Sequence, residues 1–95
     1  MANAKDRPVF LTRLTGALVD TLKASGIKAH LNTQRVPGTR LYRVRVISPQ
    51  FKRMYHSERQ SLVWRITERV ISWDDQMRIS MILTLTGEEA KGSDV

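Results

Sequence analysis

The hydrophobic spacing of this 95-residue chain predicts an α+β domain of order α-β-β-α-β. Two segments repeat their apolar residues at steps of three and four, and three others alternate at every second residue. Each alternating segment has only one apolar side, so the sheet has one buried face and both long helices must cover it. The expected architecture is a three-stranded mixed sheet with its helices on one face. It forms a single domain over residues 1–86, followed by a polar, disordered tail at 87–95.

Leu11, Leu14, Leu18 and Leu22 mark the first helix, with Phe10 and Ala17 widening the stripe. Asp6 is placed to cap it and Pro8 suits its first turn, while Gly26 after Ser25 supplies the stop. From Ile27 the period becomes two: Ile27, Ala29 and Leu31 face inward, and Lys28, His30 and Asn32 outward. The polar segment 33–40 is read as a loop, with Pro37-Gly38 at the centre of a type II turn. A second strand over 41–47 turns Tyr42, Val44 and Val46 to the core and Arg43 and Arg45 outward. Ser48-Pro49 ends it, because proline cannot donate to a ladder.

A connection holding Phe51, Met54 and Tyr55 leads to the second long helix. Ser57 and Gln60 have capping-box spacing, and Leu62, Val63, Ile66 and Val70 form the stripe, with Arg59, Arg65 and Arg69 outside it. Residues 73–76 read as a loop, where adjacent Asp74 and Asp75 are turn chemistry. A strand over 77–86 buries Met77, Ile79, Met81, Leu83 and Leu85 and leaves Arg78, Ser80 and Thr84 on the open face with Lys28, His30, Arg43 and Arg45. A strand-helix-strand unit within one sheet makes the last pairing parallel through a right-handed crossover.

Charge is the strongest compositional signal, with 16 Lys+Arg against 9 Asp+Glu for a net of +7. The excess is concentrated between Arg35 and Arg69, and it attracts polyanions, nucleic acid first. The competing reading is a solvated surface that happens to be basic. Candidate phosphate contacts are Arg40, Arg43, Arg45, Lys52, Arg53, Arg59, Arg65, Arg69 and Arg78. Trp64 and Trp73 read first as packing, and second as aromatic contacts for a base or a partner protein.

Catalysis finds little material. There is no cysteine, hence no thiolate nucleophile or disulfide, and the two histidines, His30 and His56, stand at no metal-motif spacing. No Gly-rich phosphate loop or convergent acid–base set is present, so the expectation is a non-enzyme with no cofactor and no metal. The first residues carry no apolar signal segment, and a cytoplasmic location is expected.

The order of elements and several local motifs over residues 38–89 resemble the BolA family, whose fold is related to type II KH domains. Val46-Ile47-Ser48-Pro49-Gln50-Phe51 is similar to that family's strand ending in a Ser-x-x-Phe step. Arg59-Gln60-Ser61-Leu62-Val63 falls where the family has its Arg-His-Arg-hydrophobic helix motif. The segment 77–82, with Thr84, Thr86 and Glu89, resembles its last strand and Thr-x-x-Glu exit. With the basic charge, the BolA- or KH-like fold leads to a regulatory nucleic-acid-binding module; the resemblance adds an alternative, an adaptor for a monothiol glutaredoxin. This chain departs from the family at Gln60 and Ser61. Arg78 stands where the family has its metal-cluster histidine, so the adaptor would lack that ligand. Gly-x-x-Gly, the phosphate clamp of RNA-binding KH domains, is missing as well.

Overall fold

The computed structural model describes residues 7–92. Helix α1, Val9–Ala24, begins after Pro8, which serves as N-cap without a side-chain bond; Asp6, the expected cap, lies outside the described residues. Leu11, Leu14, Leu18 and Leu22 are fully buried. Their 3-4-4 spacing puts all four on one side of the helix, each stabilising the fold by roughly 1.5–3 kcal/mol. Gly26, at φ 81°, ends the segment in the left-handed conformation that glycine tolerates best.

Strand β1, His30–Arg35, pairs antiparallel with β2, Tyr42–Ile47, and β2 pairs in parallel with β3, Ile79–Leu85. The sheet order is β1-β2-β3. β1 begins and ends later than its sequence pattern predicts. Residues 27–29 precede it, although Ile27 is buried as expected, and Thr33, Gln34 and Arg35 extend the ladder into the expected loop. The Pro37-Gly38 turn closes as read, with Gly38 at φ 75° and a Thr39 N–H to Val36 O bond of 3.1 Å.

A 3-10 helix at Pro49–Arg53 fills the connection after β2, capped by Ser48 and pinned by fully buried Phe51. Helix α2, His56–Val70, starts before the expected Ser57 cap. Its N-cap is Tyr55, whose N–H donates to Glu58 Oε1 at 2.8 Å. Residues 73–76 form α3, Trp73–Gln76, a single turn capped by Ser72 rather than a loop. The expected disordered tail is helical as far as it is described, in α4, Gly87–Gly92. Both α1 and α2 pack on one face of the sheet, around Tyr42, Val44 and Val46.

The largest departure from expectation lies in β3. Tyr42 pairs with Ile79, but Arg43 pairs with Met81, so Ser80 is an extra residue, a β-bulge. A one-residue slip moves every later side chain to the other face. Ile79 is therefore buried as expected, but Ile82 and Thr84 then replace Met81 and Leu83 in the core. Met81 is 43% exposed, Leu83 and Leu85 are half-buried, and Met77, ahead of the strand, is exposed. Thr84 tolerates burial because its hydroxyl donates to Gln60 Oε1 at 2.7 Å.

The bulge makes the fold testable. Ile82→Ala should cost about 2–5 kcal/mol in urea denaturation, as a large-to-small core change does. Met81→Ala should cost under about 1 kcal/mol, as a surface substitution. Equal losses at the two positions would contradict the register.

Candidate nucleic-acid interface

The face of the sheet turned away from α1 and α2 is built in three stripes. Pairing sets His30, Ile47 and Leu85 in one row, Asn32, Arg45 and Leu83 in the next, and Gln34, Arg43 and Met81 in the third. β1 thus supplies polar side chains, β2 two arginines and an isoleucine, and β3 an apolar strip. None of the three strands, HLNTQR, YRVRVI and ISMILTL, contains a carboxylate. Arg43 and Arg45 are half-buried between their neighbours. Covered stems leave each guanidinium less rotamer freedom to lose when it meets an anion. Arg45 also donates to Ala90 O at 3.0 Å, which holds α4 against this side of the sheet.

The nine candidate cations do not form one surface. Arg43 and Arg45 lie on the open face, and exposed Arg40 sits in the turn at its β1-β2 end, next to Arg35. Lys52 and Arg53 are exposed on the 3-10 helix, which follows β2 at the opposite end of the sheet. Arg65 and Arg69 lie on the solvent side of α2, in the layer behind the sheet, where Glu58 and Glu68 are also exposed. His56 is exposed at the start of α2, Trp73 is exposed on α3, and Trp64 packs partly against the core.

Arg59 and Arg78 are structural rather than available to a ligand, and Arg45 is partly engaged by α4. Arg78 does not join the open face: its guanidinium lies 5.1 Å from the Phe10 ring centroid and 5.8 Å from that of Tyr42. Arg59 is 7% exposed. Its Nε donates to Met54 O at 3.3 Å, and one terminal nitrogen reaches Thr84 O at 3.3 Å and Glu89 Oε1 at 2.8 Å. The group also stacks over Phe51 at 5.7 Å. Spacing could have revealed this, because Arg59, Val63, Ile66 and Val70 recur at 4, 3 and 4 and so share one helix side.

Glu89 completes the arrangement. Its carboxylate accepts the Thr86 N–H at 2.8 Å, while its own N–H donates to Thr86 Oγ1, a capping box at the start of α4. The Thr86 N–H, then Arg59, hold the Glu89 carboxyl below the usual carboxylate range. Gln60 and Arg59 together cover the outer side of β3, donating to the carbonyls of Ile82 and Thr84.

No helix among the described residues is long and apolar enough to cross a membrane. Comparison with protein-family models, with curated proteins and with solved structures returns no match.

Two outcomes follow from Arg59 and Glu89. Arg59→Leu should lower stability by about 1–3 kcal/mol, because the Thr84 and Met54 carbonyls lose their donor. Arg59→Lys should recover only part of this, since an ammonium cannot span the same acceptors. A carboxyl with a lowered folded pKa contributes stability above its unfolded pKa and loses that contribution as pH falls through the folded value. Thermal denaturation from pH 7 down to pH 3 should therefore show an acid-dependent loss that is smaller in Glu89→Gln.

Proposed function

We propose that this protein is a small, non-enzymatic, regulatory nucleic-acid-binding module whose interface is the open face of the sheet and the adjoining β1-β2 turn. The observation that carries this reading is the pair Arg43 and Arg45 in the central strand of a sheet face that α1 and α2 leave open and whose strands hold no carboxylate, with α4 approaching it through Arg45. Arg35 and Arg40 extend the positive surface at one end. Planar, always-charged guanidinium groups suit phosphate oxygens in pairs. Asn32, Gln34 and His30 line the same face as hydrogen-bonding neighbours, and such a mixture gives phosphate positioning with little sequence preference.

The pairing of the strands and the helices on a single face are compatible with the BolA-like resemblance. Within that resemblance, a specific observation favours a second reading as protein adaptor. Met81, Leu83 and Leu85 place an apolar strip beside the arginines, and an acidic protein surface such as that of a glutaredoxin would cover both. Arg78, at the position of the family's histidine ligand, packs over Phe10 and Tyr42, so such a partner would have to supply its own ligands.

Fluorescence anisotropy with a labelled single strand and a labelled duplex separates the two readings. Affinity should fall steeply with salt as counterions are released. The double variant Arg43→Gln/Arg45→Gln should weaken binding to unrelated sequences equally and reduce the salt slope by about two, one for each phosphate no longer neutralised. Arg65→Gln/Arg69→Gln should change little. Failure to bind either probe at about 50 mM salt would sink the nucleic-acid reading and favour the adaptor.

A further inference from the structure

The two edges of the sheet are treated differently. Gln60 and Arg59 occupy the outer carbonyls of β3, a common way of keeping an edge from pairing with other chains. Among the described residues the outer edge of β1 has no such cover. Val36 N–H donates to Leu41 O, so by the antiparallel alternation His30, Asn32 and Gln34 bond to β2. The N–H and C=O groups of Leu31, Thr33 and Arg35 then point outward, and among the described residues no other strand pairs with them. The first five residues, HLNTQ, contain no proline, lysine or carboxylate, and β1 pairs with β2 without a bulge.

A groove of about 390 Å³ runs between this edge and α1, lined by Arg7, Gly16, Val19, Asp20, His30 and Leu31. Gly16 stands mid-helix, where glycine is unfavourable relative to alanine, yet a Cβ there would meet nothing within 4 Å. Among the described residues nothing occupies the space a Cβ would take, which leaves the groove wall low enough for another backbone to approach. Charge polarises the groove. Arg7 bonds Thr33 Oγ1 at 2.7 Å, while Asp20 lies about three helical turns beyond the start of α1, beside the start of β1.

We propose that the free edge of β1 receives an extended segment of another protein as a fourth, antiparallel strand. Its main chain meets Leu31, Thr33 and Arg35, and its small apolar side chains pack toward Gly16 and Val19. An acidic residue sits at its Arg7 end and a basic one at its Asp20 end. Main-chain pairing supplies affinity in such strand addition, and alternate side chains supply selectivity. A second copy is the poorer occupant. Pairing β1 with itself about Thr33 would bring two Arg7 side chains and two chains of net charge +7 together. This docking is independent of the polyanion surface on the open face.

The test uses the full-length ¹⁵N-labelled protein and the peptide acetyl-DTVTVTK-amide, whose charged ends and valines share one face of an extended strand, followed by NMR shifts and amide exchange. Saturation should slow exchange at Leu31, Thr33 and Arg35 more than at Asn32 and Gln34. The charge-swapped peptide acetyl-KTVTVTD-amide and a peptide N-methylated at alternate residues should each bind about tenfold more weakly. Gly16→Leu fills the groove without touching the core and should weaken binding by a similar factor. Thr33→Pro should do the same by removing an outward N–H while the ladder to β2 remains. No shift at peptide concentrations up to about 1 mM, undiminished binding to Gly16→Leu, or a dimer that pairs through β1 would each overturn the proposal.

Discussion

The single extra residue at Ser80 decides what each side of β3 can do. Before it, Ile79 points into the core beside Tyr42; after it, Ile82 and Thr84 do, and Met81, Leu83 and Leu85 turn outward. With Thr84 inside, its hydroxyl meets Gln60, and the carbonyls of Ile82 and Thr84 come within reach of α2. That arrangement in turn places Arg59 next to Glu89, so the start of α4 is held at the end of the strand. Without the bulge the same alternation would bury Met81 and Leu83 and leave Thr84 in solvent. Arg59 and Gln60 would then have to find other acceptors.

Much of this is legible in the sequence, and the failures have definite causes. The four leucines of α1 and the alternation of β2 show their burial directly, because periodicity reports burial when an element is regular. β3 misleads because Met77, Ile79, Met81, Leu83 and Leu85 fit a perfect period of two, and only the adjacent pair Met81-Ile82 hints at a change of side. Residue type assigns Arg59 to solvent, although its spacing puts it on the buried stripe. A charged side chain can occupy such a position when its nitrogens find acceptors, here two carbonyls and a carboxylate. The sequence locates Arg43 and Arg45 correctly, since the parity of β2 has no interruption. It misplaces Arg78, which lies at the strand entrance, where alternation does not apply.

Concentration of charge along a chain also differs from concentration in space. The sequence between Arg35 and Arg69 reads as one basic block, yet its residues divide among the open face, the two ends of the sheet, the back of α2 and the interior. Coulomb attraction falls with distance and is screened beyond about 10 Å at ordinary salt, so cations on opposite layers do not act on one ligand. Those on the open face share a surface with no carboxylate in its strands, whereas Arg65 and Arg69 share theirs with Glu58 and Glu68. The useful quantity is therefore the local balance of charge on a face, and by that measure the strands of the open face are more positive than the solvent side of α2.

A three-stranded sheet leaves one face and two edges to be satisfied by something other than its own strands. In this chain α1 and α2 take one face, side chains of α2 take the outer carbonyls of β3, and α4 is drawn toward the other face through Arg45 and Ala90. Each of these covers is made by a residue that could have served elsewhere: Arg59 and Gln60 are withdrawn from the surface, and Arg45 shares its guanidinium with α4. Among the described residues the outer edge of β1 and the strip from Gln34 across Arg43 to Met81 receive no comparable cover. Main-chain groups at an edge recognise only another extended backbone, whereas guanidinium groups on a face recognise anions of many shapes. The two uncovered surfaces therefore require different chemistry. Because Leu31 and Thr33 turn their side chains to the helix face while Arg43 turns to the opposite one, a ligand on either surface leaves the other accessible.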